Sequence, residues 1–344
     1  INEKKLRGFK KDNLIKNNFN LNMKKDFEKI FKLLQKSKSP ILIIGHGVKQ
    51  SEKIVEIKKI ITKLKIPVIF TRFTNDLVSH NQNYIYGISG IKATKFSKKI
   101  MNNSDLVLSL GCRFSPQFVG HEYKALKNAK VISVDIEKDE LKKKGQKIDI
   151  PLNYDLKYFI PSFYKFIKNK KIINFSEWNN KCKVFKKNNP ISNKFISKVS
   201  KNKFMDLYFF MDRLGKISSK KNILITDAGS NYYVGGQVWN FEKGQKEISS
   251  YTNAAMGLTI PLAIGAAVAS PKSTILAVTG DGSLELNIQE LKTISHNRFN
   301  IKLFVINNGG YVSMHNWADT FFKGRRVDNP KDTGDGTLNL KNMR

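Results

Sequence analysis

Short unbroken apolar runs alternate along this chain with stretches whose apolar residues return every three or four positions. Phe27, Ile30, Phe31 and Leu34 mark the first helical stretch, over residues 26–35. Residues 40–44 then read as a buried strand that ends at Gly45-His46-Gly47, and Ile54, Ile57 and Ile61 share one face of the next helix. Further strands are predicted at residues 66–70, at 105–110 where Gly111 stops the run, and at 130–135. Continuous apolar strands separated by helices predict a parallel sheet covered on both faces, because only strands buried on both sides can drop the polar alternation. Residues 26–160 therefore read as a Rossmann-like domain, and the polar residues 1–25 as a linker into it.

Strand signals vanish over residues 161–205, which are rich in Lys, Asn and aromatics and broken at Pro190, so this stretch reads as a helical connection. A second α/β run occupies residues 206–344. It has strands at 223–226, 273–279 and 301–306, a Gly/Ala-rich helix near 256–269 and a helix near 284–296. The fold class is thus α/β, with two doubly wound parallel-sheet domains. The second reads as cut short, because the basic, turn-rich tail ends before another clear core element, and the chain opens on Ile1 rather than Met. Both features read as a fragment of a longer protein.

Composition changes this picture little. At 344 residues and 40% hydrophobic content the chain can fill two cores of ordinary size. The 61 Lys and Arg against 28 Asp and Glu leave a net charge of +33, which taken alone would suggest nucleic acid or an anionic membrane. The lysines, however, are spread through every segment together with frequent Asn and Ile, the residues of AT-rich codons. No Arg-rich run, aromatic ladder or zinc spacing accompanies them, so neither nucleic acid nor membrane is an expected partner. No apolar run is long enough to span a bilayer, and residues 1–16 lack a secretory apolar segment. Cys112 and Cys182 form no disulfide framework or metal spacing, which suits reduced thiols in a cytoplasmic protein.

The chemistry concentrates where the strand at 273–279 runs into Gly280-Asp281-Gly282-Ser283 and a helix with Leu284, Ile288, Leu291 and Ile294 on one face. Glycines on both sides of Asp281 permit close backbone approach. Amides of Gly282 and Ser283 at a helix N-terminus favour phosphate, whereas the Asp281 carboxylate repels it. A divalent cation between the two resolves that conflict. The following strand ends at Asn307-Asn308-Gly309-Gly310, and a right-handed crossover places it parallel to the strand before Asp281. Asp281 and Asn308 then lie at neighbouring carboxyl ends, where open α/β sheets bind ligands. Magnesium takes an octahedron of oxygens and readily shares phosphate, so Asp281, Asn308 and a carbonyl near Gly310 are the expected metal ligands. Gly334-Asp335-Gly336 repeats the turn without a preceding strand or a following Asn pair and reads as a surface turn.

The segment from Gly280 to Asn308 resembles the signature of thiamine-diphosphate enzymes. Met256-Gly257 followed by Pro261-Leu262-Ala263-Ile264-Gly265-Ala266 resembles a second block of that family. The resemblance implies that Met256 wedges under the cofactor and that the Ala254 carbonyl accepts a hydrogen bond from its aminopyrimidine, although most relatives carry Gly there. It further implies that Gly229, Ser230 and Asn231 touch the diphosphate together with Gly280, Asp281, Gly282, Ser283, Asn308, Gly310 and Tyr311. Asn287 to Leu291 and Asn307 to Tyr311 are most similar to the acetolactate-synthase-like branch. So are Leu110 to Phe114 with Gly120, and Val134-Asp135-Ile136, which fall in that branch's middle domain.

The implied cofactors are thiamine diphosphate and Mg2+, and the implied activity is a carboligase or lyase that decarboxylates a pyruvate-like 2-keto acid and transfers the fragment. A homodimer or homotetramer with the site between subunits is expected. FAD stays open but is not supported by Gly45-His46-Gly47, which lacks the third glycine of the dinucleotide motif. Trp317 falls where relatives line the substrate pocket, and His46, His121 and His315 read as structural or surface residues. The glutamate that activates the cofactor belongs to a domain absent from this sequence, so no catalytic residue is assigned here. Two alternatives stay open: a simple 2-keto-acid decarboxylase or C–C hydrolase, and a non-catalytic cofactor-binding module.

Overall fold

The computed structural model describes residues 22–90, 93–120, 125–191, 205–219, 221–249 and 253–325. Its first unit runs α1 (Asn22–Lys36), β1 (Pro40–Ile44), α2 (His46–Gln50), α3 (Ile54–Leu64), β2 (Val68–Phe70), a 3-10 turn (Arg72–Thr74), β3 (Ile85–Ile88), α4 (Lys95–Asn102), β4 (Leu106–Leu110), α5 (Pro116–Val119), β5 (Lys130–Asp135), β6 (Ile150–Asn153), α6 (Leu156–Ile167) and α7 (Ser176–Asn188). The strands form one parallel sheet in the order β3-β2-β1-β4-β5-β6. Every residue of β1 and β4 is buried, as their unbroken apolar runs require. One face of the sheet packs on α1, α3 and α6, where Phe27 meets Phe159 edge-on at 5.2 Å. The other packs on α4 and α7.

The boundaries differ from the sequence reading. Helix α1 already begins at Asn22 and buries Met23 in the core, so the described part of the expected linker is helical. The expected boundary at residue 161 falls inside α6, and α7 inserts Trp178 and Cys182 between the sheet and α4, with Trp178 Nε1 donating to Pro40 O at 3.0 Å. The lysines and asparagines of α7 hide this packing in the sequence, since only Trp178, Asn179 and Cys182 are buried. Strands β3 and β6 escape the apolar-run reading because Gly87 breaks the run in one and Pro151 and Asn153 break it in the other. β6 is also an edge strand that buries alternate residues and tolerates Pro151 there.

The second unit runs α8 (Leu207–Ile217), β7 (Asn222–Thr226), α9 (Ser230–Val238), β8 (Lys246–Ser249), α10 (Thr259–Ala269), β9 (Thr274–Gly280), α11 (Asp281–Glu285), α12 (Glu290–His296), β10 (Ile301–Ile306) and α13 (Val312–Phe321). Its sheet is also parallel, ordered β10-β9-β7-β8. Helices α8 and α9 cover one face, and α10 covers the other through Ala263, Ala266 and Ala267, whose small side chains let the helix lie close. The two parallel-sheet units are those expected. The helix read at 284–296 is instead two short ones, and the first starts at Asp281, so the acid sits in its opening turn. The helix read from residue 256 begins at Thr259, after a turn.

His80 stands between the two units. Its amide donates to Phe241 O at 2.8 Å, its Nε2 donates to Asn75 O at 2.6 Å, and its ring lies between those of Phe70 and Phe241. Burial pushes its pKa down from 6.5 to about 4. The unfolded state therefore binds a proton that the folded state refuses, so His80 contributes stability above pH 6.5 that is lost as the pH falls toward 4. A Tm–pH profile of the protein should fall more steeply across this window than that of His80→Gln; superimposable slopes would contradict the assignment.

Candidate cofactor and metal site

The carboxyl ends of β7, β9 and β10 meet at one edge of the second sheet. Register pairing sets Ile306, the last residue of β10, beside Gly280, the last of β9, so Asp281 faces the turn at 307–310. Its carboxylate is buried, with 3% exposure for the residue, and organises that turn. Oδ2 accepts the amides of Asn308 at 3.1 Å, Gly309 at 2.9 Å and Gly310 at 3.0 Å. Wrapping three successive amides onto one oxygen needs φ values of +82° and +108° at Gly309 and Gly310, which glycine adopts without strain. Such charge-assisted bonds offset the desolvation of the acid. Oδ1 accepts the amide of Gly282 at 3.0 Å, so the amide read from the sequence as a phosphate donor turns back on Asp281 instead.

The Asn308 side chain lies against the same carboxylate. One terminal atom of its amide lies 3.2 Å from Asp281 Oδ1 and 3.0 Å from Gly310 O. With nitrogen at that position the amide donates to both. Turned over, the amide would instead set its oxygen beside Asp281 Oδ1 and Gly310 O, a donor set that a cation could use. These donors suit Mg2+, a hard ion that favours carboxylate and carbonyl oxygens. Among the described residues no group of three or more His, Cys, Asp or Glu side chains is placed to hold a metal, so this mixed oxygen set is the metal-binding candidate. The Tyr311 ring packs on Gly282, where an added Cβ would lie 2.5 Å from Tyr311 Cε1.

A second buried acid holds the neighbouring loops. Asp227, at the end of β7, accepts from Ser283 Oγ at 2.5 Å, Thr279 Oγ1 at 3.3 Å and Asn231 Nδ2 at 3.3 Å. Asn231 Nδ2 also donates to Val278 O at 2.7 Å, which fixes the first turn of α9 against β9. Gly229, at φ +86°, turns the chain into that helix, and Ser230 is exposed there. Ser283 Oγ in turn accepts the amide of Gly257 at 2.8 Å, and Asn287 Nδ2 donates to Gly257 O at 2.8 Å. The turn carrying Ala254 and Met256, both half-buried, is thereby tied to α11. Ala254 has φ +45°, a left-handed conformation that explains why glycine is the easier residue at this position.

The expected residues Gly229, Ser230, Asn231, Ala254, Met256, Gly280, Asp281, Gly282, Ser283, Asn308, Gly310 and Tyr311 thus fall on loops joined at one sheet edge. Trp317 lies on α13, which follows this turn; it is 56% exposed and stacks on Phe321 at 4.5 Å. Asp227, Gly257 and Asn287 lie in segments that carry the family resemblance, but the sequence assigns none of the three its own role at the site. The available signal for Asp227 was its position directly after an apolar strand, the same position that marks Asp281. In the first unit the amides of Gly45 and Gly47 donate to Leu110 O and Gly111 O at 2.9 and 3.1 Å. Those glycines serve close strand packing, since a Cβ on Gly45 would lie 2.1 Å from Gly111 O. Neither amide is left for a phosphate. His121 and the second Gly-Asp-Gly turn lie outside the described residues.

Comparison with known proteins agrees with this layout. Residues 27–163 match the family described as thiamine pyrophosphate enzyme, central domain, and residues 227–342 match the thiamine pyrophosphate enzyme C-terminal TPP binding domain. The chain belongs to the thiamine pyrophosphate enzymes. It is 28% identical over 313 residues to a probable acetolactate synthase large subunit of Methanococcus aeolicus, covering 88% of this chain and 52% of that protein. It is 30% identical over 306 residues to the acetolactate synthase large subunit of Cyanidium caldarium, covering 88% and 51%. With the chloroplastic acetolactate synthase of Arabidopsis thaliana it shares 27% identity over 303 residues, covering 87% and 44%. The chain spans about half the length of these relatives. Among the described residues no helix is long and apolar enough to cross a membrane.

Within this family member, Ser283 is the hinge pin of three loops. Ser283→Ala would leave the Gly257 amide without its acceptor and Asp227 without its closest donor. The expected loss is about 1–3 kcal/mol of unfolding free energy in urea titration; a loss below about 0.5 kcal/mol, the range of ordinary surface changes, would contradict the role.

Proposed function

We propose that this chain forms the magnesium- and diphosphate-binding half of an acetolactate-synthase-like carboligase, which decarboxylates a pyruvate-like 2-keto acid and transfers the remaining fragment to an acceptor. The observation that carries the reading is the convergence of Asp281 Oδ1, the Asn308 amide and Gly310 O. In this reading those three groups hold Mg2+, and the start of α9 at Gly229, Ser230 and Asn231 faces the diphosphate. Bound there, thiamine diphosphate supplies the nucleophilic carbon and the electron sink for loss of carbon dioxide.

The chain's own residues bind and orient. Asp281 shapes the 307–310 turn through Oδ2 and presents Oδ1 to the metal, so one side chain both builds the site and neutralises its cation. Met256 and the Ala254 carbonyl shape the cofactor's bend and hold its aminopyrimidine ring. Tyr311 walls the diphosphate turn over Gly282. Trp317 borders the substrate pocket from α13. The net charge of +33 raises the local concentration of the anionic cofactor and keto acid. None of the described residues is assigned the role of activating the cofactor, and the complete site is assigned to an assembly of at least two subunits in the cytoplasm.

Calorimetric titration of the full-length protein with thiamine diphosphate tests the reading. Binding should require Mg2+ and vanish in Asp281→Ala. Binding of equal affinity in EDTA, or full affinity in Asp281→Ala, would contradict it.

A further inference from the structure

The first domain reaches into the second through one arginine. Arg72, in the 3-10 turn after β2, forms a two-pronged ion pair with Glu247 of β8, and both side chains are almost wholly buried, at 11% and 5% exposure. The same guanidinium donates from Nη2 to Tyr232 O at 3.0 Å and lies over the Tyr232 ring at 4.5 Å. Asp76, four residues along, accepts the Glu247 amide at 3.1 Å and pairs with Lys49 Nζ at 2.7 Å. The arginine is therefore held by its partner, and the partner's strand by a second acid.

Helix α9 is built to receive this side chain. Gly235 and Gly236 sit in its interior, where glycine weakens a helix. A Cβ on Gly236 would lie 2.4 Å from Arg72 Nε, so the paired glycines make room for the arginine. What the arginine grips is the first turn of α9. Tyr232 O is its acceptor, Tyr232 N donates to Asn231 Oδ1 at 2.8 Å, and Asn231 Nδ2 reaches Asp227 and Val278 O. The series runs from the Tyr232 carbonyl through its amide to Asn231, the last residue of the turn that Gly229 and Ser230 open, and from Asn231 to Asp227 and Val278.

We infer that Arg72, a residue of the first domain, is a positioning residue for the diphosphate-facing turn of the second, acting through the Tyr232 carbonyl. This inference rests on the function proposed above. Arginine suits the role because its planar fork serves Glu247 and the carbonyl together. A lysine ammonium keeps the charge opposite Glu247 but not that geometry.

The test is made in the full-length protein with thiamine diphosphate and magnesium chloride, reading dissociation constant, apoprotein Tm, and amide hydrogen exchange at residues 229–231. Arg72→Lys and Gly236→Ala should each weaken thiamine diphosphate binding about tenfold, as loss of an outer supporting contact typically does. Exchange of the turn should rise while Tm stays within a few degrees. Gly236→Ala displaces the arginine without touching any charge and carries the test alone should Arg72→Lys not fold. Affinity within about twofold of wild type, or a lowered Tm with unchanged affinity and exchange, overturns the inference. Asp281→Ala, run alongside, separates the two readings. Retained binding in that variant sinks the site assignment itself, whereas lost binding there with both other variants unaffected sinks only the arginine's role.

Discussion

A single buried carboxylate organises the carboxyl edge of the second sheet. Asp281 takes three consecutive amides of the 308–310 turn on Oδ2, and this fixes where β10 stops and where α13 starts. A buried acid in that position is tolerated because several donors replace its lost water. The other oxygen accepts the Gly282 amide and lies beside the Asn308 amide, which also neighbours Gly310 O. In the proposed function, the bonds that shape the loop also place the metal ligands. Asp227 does the complementary work, binding Ser283, Thr279 and Asn231 so that the loops after β7 and β9 and the turn before α10 are joined by hydrogen bonds.

How much of this can be read from the sequence depends on the range of the interaction. The unit β9–α11–β10 is local: an apolar strand, glycines beside Asp281, and a second strand ending in Asn-Asn-Gly-Gly. Its parallel pairing and the meeting of Asp281 with Asn308 were therefore legible, as were the unbroken runs of β1, β4, β5 and β7. Tertiary partners were not. Asp227 finds Ser283 56 positions away, and Arg72 finds Glu247 175 positions away, with no spacing rule to announce either. The packing of α7 was hidden because three buried residues are diluted among lysines. The Gly282 amide shows a different limit. Its place at a helix start suggested phosphate binding, but the nearest acceptor is its own neighbour's carboxylate.

The two sheets serve one site in unequal ways. In the first, the glycines at the end of β1 are spent on close packing against Gly111, and their amides bond the chain itself. What that domain contributes to the second is contact: His80 against Phe241, Asp76 against the amide of Glu247, and Arg72 against Glu247 and Tyr232. Buried ion pairs add little net stability, and in some proteins they select one geometry over its neighbours. The inferred positioning role of Arg72 would use that property.

The central claim is that Asp281, Asn308 and Gly310 turn three oxygens toward one divalent cation. Crystals of the full-length protein grown with thiamine diphosphate and Mn2+ in place of Mg2+ test it directly through the anomalous signal of manganese. The account predicts a single strong peak within coordination distance of Asp281 Oδ1, Asn308 Oδ1 and Gly310 O. A peak elsewhere, or an Asn308 amide that keeps its nitrogen toward Asp281 with cofactor bound, would contradict it.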